Sequence, residues 1–239
     1  MVYAMLLAHL MGDYVLQTGL VARWKARSLL GVLAHGGIVT ATTLLCAVLV
    51  DPRWWPYALL IGATHTLIDL VRARFLRTPH PRWELLWYLI DQALHGAIIL
   101  LVVTWGRHNL GSENGGAAHW LADSRLLLYV IGYILLVNPA WVFLRFAVRG
   151  IWGSDAAPRL DQGEKYGPMA ERVLIATCVL IGQFYLIPLV LLPRRLVPIR
   201  MHGEVGVLLR RPSNWAETIL SVSLAVTVGL SLQLLTRAG

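Results

Sequence analysis

The segment "YALLIGATHTLIDLVRARF" (57–75) places two ionisable residues inside a long apolar run. His65 and Asp69 are four residues apart, and residues at i and i+4 share one face of an α-helix. An ionisable side chain inside a membrane helix costs about 2.5–3.5 kcal/mol on insertion scales, so such residues usually face the protein interior and mark a functional site. The segment therefore predicts a membrane helix with one polar face.

The chain as a whole has the composition of a membrane protein. Of its 239 residues, 57% are hydrophobic and only 14% are charged, with a mean hydropathy of +0.62; soluble domains carry about 25% charged residues. Crossing a hydrocarbon core takes about 20 helical residues. Apolar runs of that length predict an all-α, polytopic transmembrane bundle of about seven spans, at 2–22, 28–50, 56–76, 83–105, 124–148, 168–192 and 215–236.

These runs predict three parts of the chain. Residues 1–106 form a four-helix membrane domain that carries the His and Asp residues, 107–123 form a Gly-rich loop, and 124–239 form a three-span half. Asn138-Pro139 predicts a kink in the fifth span. The first run lacks a basic start and a small-residue cleavage site, so we interpret it as a retained helix. Cys46 and Cys178 lie in apolar runs and predict no disulfide.

The net charge of +8 comes mostly from arginines between the apolar runs. Because cytoplasmic loops of membrane proteins are rich in Lys and Arg, the basic segments 23–27 and 72–82 predict a cytoplasmic position and an external N-terminus. The arginines at 193–211 do not fit this orientation. Membrane lipids with anionic headgroups, and not nucleic acid, are the expected partners of this charge.

The pairing of His65 with Asp69 is repeated on two other predicted helices, and a further helix carries a single histidine. These additional residues are His9 with Asp13, Asp91 with His95, and His35. Gln17, four residues after Asp13, and Arg72, seven after His65, are expected to extend these polar faces, and Gln92 directly follows Asp91. Four helices can therefore deliver their polar groups to one layer, nearer the cytoplasmic ends of the helices.

Three interpretations of this layer stay open. Imidazole and carboxylate are common ligands of divalent metals, zinc most of all, and the candidate ligands are His9, His35, His65, Asp69, Asp91 and His95. The same groups form interhelical hydrogen bonds and ion pairs in non-catalytic membrane proteins. They also form metal-ion or proton pathways in transporters, although the sequence has no paired broken helices of the kind that mark transporter sites.

Several blocks resemble the DUF3307 family of bacterial integral membrane proteins, whose function is unknown. They are "LLAHLMGDYVLQTGLVARWKA" (6–26), His35, "THTLIDLVRARF" (64–75) and "LIDQALHGAIILLVV" (89–103). A looser similarity to longer members covers 163–184 and 216–230, where Pro168 interrupts the segment before Glu171 and Arg172. The resemblance implies a protein of the bacterial inner membrane. "THTLIDL" is also similar to histidine motifs of predicted membrane-bound metal-dependent hydrolases.

We therefore predict a metal-dependent hydrolase that acts on a lipid-linked or amphipathic substrate. A zinc-like ion would activate a bound water, and Asp13 or Glu171 would accept its proton. The expected substrate-binding residues, suited to an anionic headgroup, are Gln17, Lys25, Arg72, Gln92 and Arg172. No nucleotide-binding glycine loop, Gly-x-Ser-x-Gly elbow or Cys-x-x-Cys pair is present, so the sequence does not support a kinase, a serine hydrolase or a thiol oxidoreductase.

Overall fold

A computed structural model describes residues 1–75, 80–111, 121, 123–154, 156, 165–192 and 212–238. The regular elements in these ranges are helical, in agreement with the predicted all-α class. The main helices are α1 (Val2–Leu10), α2 (Gly19–Lys25), α3 (Leu29–Val50), α4 (Trp55–Phe75), α5 (Pro81–Leu110), α6 (Ser124–Leu136), α7 (Asn138–Trp152), α8 (Tyr166–Leu180) and α9 (Pro212–Ala238).

Four stretches of the described chain are long and apolar enough to cross a membrane: Leu29–Val50, Pro81–Leu110, Ser124–Trp152 and Trp215–Leu235. A fifth is added if the bent pair formed by Val2–Val15 and Gly19–Lys25 counts as one span. The predicted number of seven is not confirmed. Two further predicted spans are not among these stretches. Helix α4 is 21 residues long, but His65, Asp69 and Arg72 make it less apolar. Helix α8 ends after 15 residues, shortly before Gly182, whose φ is +75°.

The first predicted span does not run straight from 2 to 22. Helix α1 continues into one wide, π-helical turn, Met11–Val15, and the chain then bends by 88° into α2. The Thr18 hydroxyl caps α2 by accepting a hydrogen bond from the Val21 amide. Gln17 falls in the non-helical link between these elements. It therefore does not extend the polar face of α1, as the sequence had suggested.

Helices α3 and α4 form a hairpin whose ends match the predicted apolar runs within one residue. Ser28 caps α3 by accepting a 3.0 Å hydrogen bond from the Gly31 amide. At the other end, Arg53 lies 2.7 Å from the Asp51 carboxylate and also donates to the Leu110 carbonyl on α5. The hydrogen bonds from Arg53 to Asp51 raise the pKa of Arg53. These contacts fix the turn between the two helices.

Small residues let α3 and α4 approach closely. A Cβ atom on Gly36 would collide with the Thr66 side chain, and one on Gly62 would collide with Thr40. Both threonine hydroxyls donate to carbonyls of their own helices, so no donor is left unsatisfied at this contact. Close packing of this kind stabilises helix pairs in membranes. It also sets His35, next to Gly36, against His65, next to Thr66.

The described chain divides into two compact units, residues 1–79 with 86–131, and residues 80–85 with 132–239. In the second unit, the predicted kink is confirmed: α6 ends at Leu136, and Val137 has non-helical backbone angles before Asn138 and Pro139.

Helix α8 packs closely on α9, where Gly229 contacts Val179. The core of this unit contains Leu136, Ile175, Ala176 and Ala225. Pro168 does not interrupt α8, because it lies in the first turn, where helical amides need no partner.

Two predicted segments fall wholly or partly outside the described residues. The loop 107–123 is described only at 107–111, 121 and 123, and its first four residues belong to α5. The arginine-rich segment 193–211 is outside the description. The division at 106 and 124 stays a prediction. Cys46 and Cys178 are free thiols, the first half-buried and the second buried.

Candidate metal centre

The first unit brings seven His and Asp side chains together from four parts of the chain. Each is between 0 and 8% exposed. They are His9 on α1, Asp13 in the π-helical turn, His35 on α3, His65 and Asp69 on α4, and Asp91 and His95 on α5. The i, i+4 spacing predicted that the residues of each pair share one helix face. In the structure these faces meet in the interior of the first unit.

Donor atoms of four of these side chains lie close together. His35 Nε2 lies 3.1 Å from Asp13 Oδ1 and 3.5 Å from Asp69 Oδ2. His65 Nε2 lies 3.3 Å from each of the same two oxygens, and the two Nε2 atoms are 3.4 Å apart. In a tetrahedral zinc site with bonds of about 2.0–2.2 Å, neighbouring ligand atoms are about 3.3–3.6 Å apart. The five distances between these donor atoms lie in or close to that range.

His9 contacts this cluster from its outer side. Its Nε2 atom lies 3.7 Å from Asp13 Oδ2, the oxygen that does not face His35 and His65. Its ring centroid lies 5.4 Å from that of His65 and 5.2 Å from that of His95. The group His9, Asp13 and His65 could hold a metal ion, and so could His35, His65 and Asp69.

A second side of the centre is built from Asp91 and His95. The Arg72 Nη1 atom lies 2.8 Å from Asp91 Oδ2, and the Gln92 amide donates a 3.2 Å hydrogen bond to the same oxygen. Both ring nitrogens of His95, together with Asp91 Oδ1, are buried without a hydrogen-bond partner among the described residues. His95 stacks on His65 with a centroid separation of 4.1 Å.

Lys25 connects the centre to the surface. Its Nζ lies 2.6 Å from Asp69 Oδ2, and its side chain is 23% exposed. It also lines an open cavity of about 180 Å³ together with Arg27, Ser28 and Arg74, among others. Two further side chains of this interior were missed by the sequence reasoning, Tyr14 and Tyr88, whose hydroxyls are 2.9 Å apart. Tyr88 lies three residues before Asp91, which is a helical spacing and could have indicated it.

The remaining predicted site residues, Glu171 and Arg172, belong to the second unit. Arg172 is 1% exposed. It donates 2.6 and 3.3 Å hydrogen bonds to the carbonyls of Leu136 and Val137, and its Nη1 atom lies 3.4 Å from Ser221 Oγ. These contacts bind Arg172 to the break between α6 and α7. The assignment of either residue to the site stays a prediction.

Comparison with known proteins finds one family. The model of a family described as a protein of unknown function (DUF3307) matches residues 1–121, which include all seven His and Asp residues of the centre. The match ends before the segments 163–184 and 216–230, whose resemblance to longer members stays a prediction. No curated protein and no solved structure matches the chain.

Proposed function

We propose that this chain, which belongs to the DUF3307 family, is a metal-dependent hydrolase embedded in the bacterial inner membrane. Its ion, zinc in the first instance, is bound by Asp13, His35, His65 and Asp69. The observation that carries the proposal is the set of 3.1–3.5 Å distances among their four donor atoms. Buried imidazoles and carboxylates at this spacing suit zinc.

The geometry favours different roles for Asp13 and His9 than the sequence did. Asp13 Oδ1 faces two imidazole nitrogens, so Asp13 is better suited to be a ligand than a free base. Catalytic zinc usually has three protein ligands and one water, so in this proposal a water displaces one of the four protein donors or adds as a fifth ligand in the transition state. We assign the water's proton to His9, whose Nε2 borders the cluster without facing the proposed ion.

The substrate in this proposal is an amphipathic or lipid-linked molecule with an anionic headgroup. Lys25 lies between the ion cluster and a cavity that also contains Arg27 and Arg74. Beside it, α2 exposes Leu20 and Trp24, by 73% and 48%. A short helix with exposed Leu and Trp and several basic residues suits the membrane interface. An acyl chain could lie along α2 while its headgroup reaches Lys25.

We also propose that α4 crosses the membrane although its hydropathy is low. With 21 residues it is about 31 Å long, and its polar face is covered by α3. This crossing, with the bent first helix and the segment around α8, would bring the spans toward the predicted seven.

The test is hydrolysis by the purified full chain in detergent. Short-chain chromogenic phosphate and carboxylic esters serve as substrates, before chelation, after chelation and after readdition of Zn²⁺. We expect turnover that disappears with the metal and returns with it, and that His65→Gln abolishes. His108→Gln, the same change at an exposed histidine, is the matched control and should keep full activity. Turnover independent of metal or of His65 would overturn the proposal, as would the absence of bound metal.

The competing transporter function is tested with the same protein in proteoliposomes. A hydrolase of this kind needs access from one face and from the lipid, so we expect no time-dependent uptake of ⁶⁵Zn²⁺ above that of empty vesicles. Uptake that His65→Gln abolishes would favour a transporter instead.

A further inference from the structure

We propose that the centre binds a second divalent cation, held by Asp69, Asp91 and His95 beside the first ion. The inference rests on the proposed function, because it takes the first ion as given. One donor atom from each of these three side chains lies within 4.8 Å of the other two. The three side chains are 2, 6 and 2% exposed. They face the same interior as the first four donors, with Asp69 common to both groups.

The unsatisfied polar atoms support a missing ligand at this position. His95 has two buried ring nitrogens, and neither has a hydrogen-bond partner among the described residues; the same holds for Asp91 Oδ1. Buried polar atoms without partners are costly, and nearly all find a partner in folded proteins. A cation bound here would satisfy His95 and Asp91 together, which a single protein hydrogen bond could not.

The stacking of a ligand of the first ion on a ligand of the second is compatible with a binuclear centre. His65, a ligand of the first ion, stacks on His95 with ring centroids 4.1 Å apart and an interplanar angle of 27°. Parallel imidazoles at this separation can each bind one ion of a pair, and catalytic metal pairs lie about 3.5–4 Å apart. Asp69 belongs to both ligand groups. Its carboxylate therefore bridges the two ions.

The second ion has the open coordination that the first lacks. Four protein donors surround the first position, whereas three surround the second. Three protein ligands and a water are the usual arrangement of a catalytic zinc ion. When both ions are bound, the hydrolytic water therefore binds the second ion rather than entering the coordination of the first, and the first ion holds the shared Asp69 carboxylate in place.

Charge balance indicates the class of substrate. The three carboxylates are offset by Lys25 and Arg72, so with neutral histidines the centre carries one net negative charge. One divalent ion makes it positive by one and two ions make it positive by three. Such a charge in an apolar bundle requires anionic ligands. A bound hydroxide and a phosphate group supply them, so the substrate is a phosphate ester, and phosphate strengthens binding of the second ion.

The experiment titrates the chelator-stripped full chain in detergent with Mn²⁺, with and without inorganic phosphate. We expect two ions per chain by elemental analysis and an exchange-coupled EPR spectrum. Inorganic phosphate should lower the Kd of the second ion at least about fivefold. His95→Gln should bind one uncoupled ion, and His108→Gln should match the parent. Asp91→Asn is the second variant, should His95→Gln fail to purify.

The outcomes separate the two proposals. One uncoupled ion in the parent overturns the second position and leaves the proposed function standing. No ion in the parent overturns both. Two coupled ions whose affinity phosphate does not change retain the binuclear centre but overturn the phosphate-ester substrate.

Discussion

Arg172 in the second unit and the His and Asp residues of the centre in the first unit are buried in contrasting ways. In the second unit, the Arg172 guanidinium binds two backbone carbonyls and lies near a serine hydroxyl. In the first unit, both ring nitrogens of His95 and Asp91 Oδ1 are buried without a hydrogen-bond partner among the described residues. A buried polar group with its bonding satisfied stabilises a fold, whereas a cluster with unused donor atoms is prepared for a ligand.

The largest effect that this comparison predicts is the loss of Arg172. Arg172→Met removes the donors from the carbonyls of Leu136 and Val137, at a cost of about 1–3 kcal/mol for each unsatisfied carbonyl. We expect a clear fall in thermal stability in detergent, with the metal content of the remaining folded protein unchanged. Arg125→Met, at an exposed position of α6, is the control. Loss of metal without loss of stability would assign Arg172 to the site instead.

A smaller effect, on metal affinity, is expected from changes at the contact between α3 and α4 that positions His35 and His65. Gly36→Val forces α3 away from Thr66 of α4 and so separates His35 from His65, whereas Gly37→Val meets open space. Displacements well under 1 Å already weaken a preorganised site. We expect the Kd for Zn²⁺ to rise about tenfold or more in the first variant and to stay at the parent value in the second. Equal affinities in the two variants would mean that the α3–α4 contact does not set the ligand geometry.

The smallest effect concerns Lys25, at the border between the centre and the surface. Lys25→Gln frees Asp69 from an ion pair that we value at about 1 kcal/mol or less because the lysine is partly exposed. We expect Zn²⁺ to bind slightly more tightly, by less than tenfold, while turnover of anionic substrates falls. Arg23→Gln, on the exposed side of the same helix, should change neither. Weaker metal binding in Lys25→Gln would show that the lysine organises the ligands.

Much of the first unit could be predicted from the sequence because its signals are local. Apolar length gave the ends of α3 and α4 within one residue, and helical spacing placed His65 with Asp69 and Asp91 with His95 on common faces. Convergence of these faces follows from the cost of exposing such groups to lipid. The kink at Asn138-Pro139 follows equally from the covalent structure of proline.

The other features of the first unit and of Arg172 depend on tertiary contacts, which residue composition and spacing do not reveal. The first apolar run contains no residue pattern that predicts the π-helical turn with Asp13 or the 88° bend after it. Gln17 was therefore predicted to lie on a helical face, although the helix ends at Val15. Arg172 and Asp91 both look like ionisable residues in apolar runs. Only the structure distinguishes them, because carbonyls accept hydrogen bonds from Arg172 whereas Asp91 Oδ1 is buried without a hydrogen-bond partner among the described residues.

Elemental analysis tests the central claim most directly, because it asks whether the centre binds a metal without requiring a substrate. The parent chain, purified without chelator, should contain at least one divalent ion per chain, and the double variant His35→Gln/His65→Gln should contain none while remaining monodisperse. His108→Gln should keep the parent's content. A parent without stoichiometric metal, or a double variant that retains it, would contradict the account and leave the His and Asp residues as structural partners.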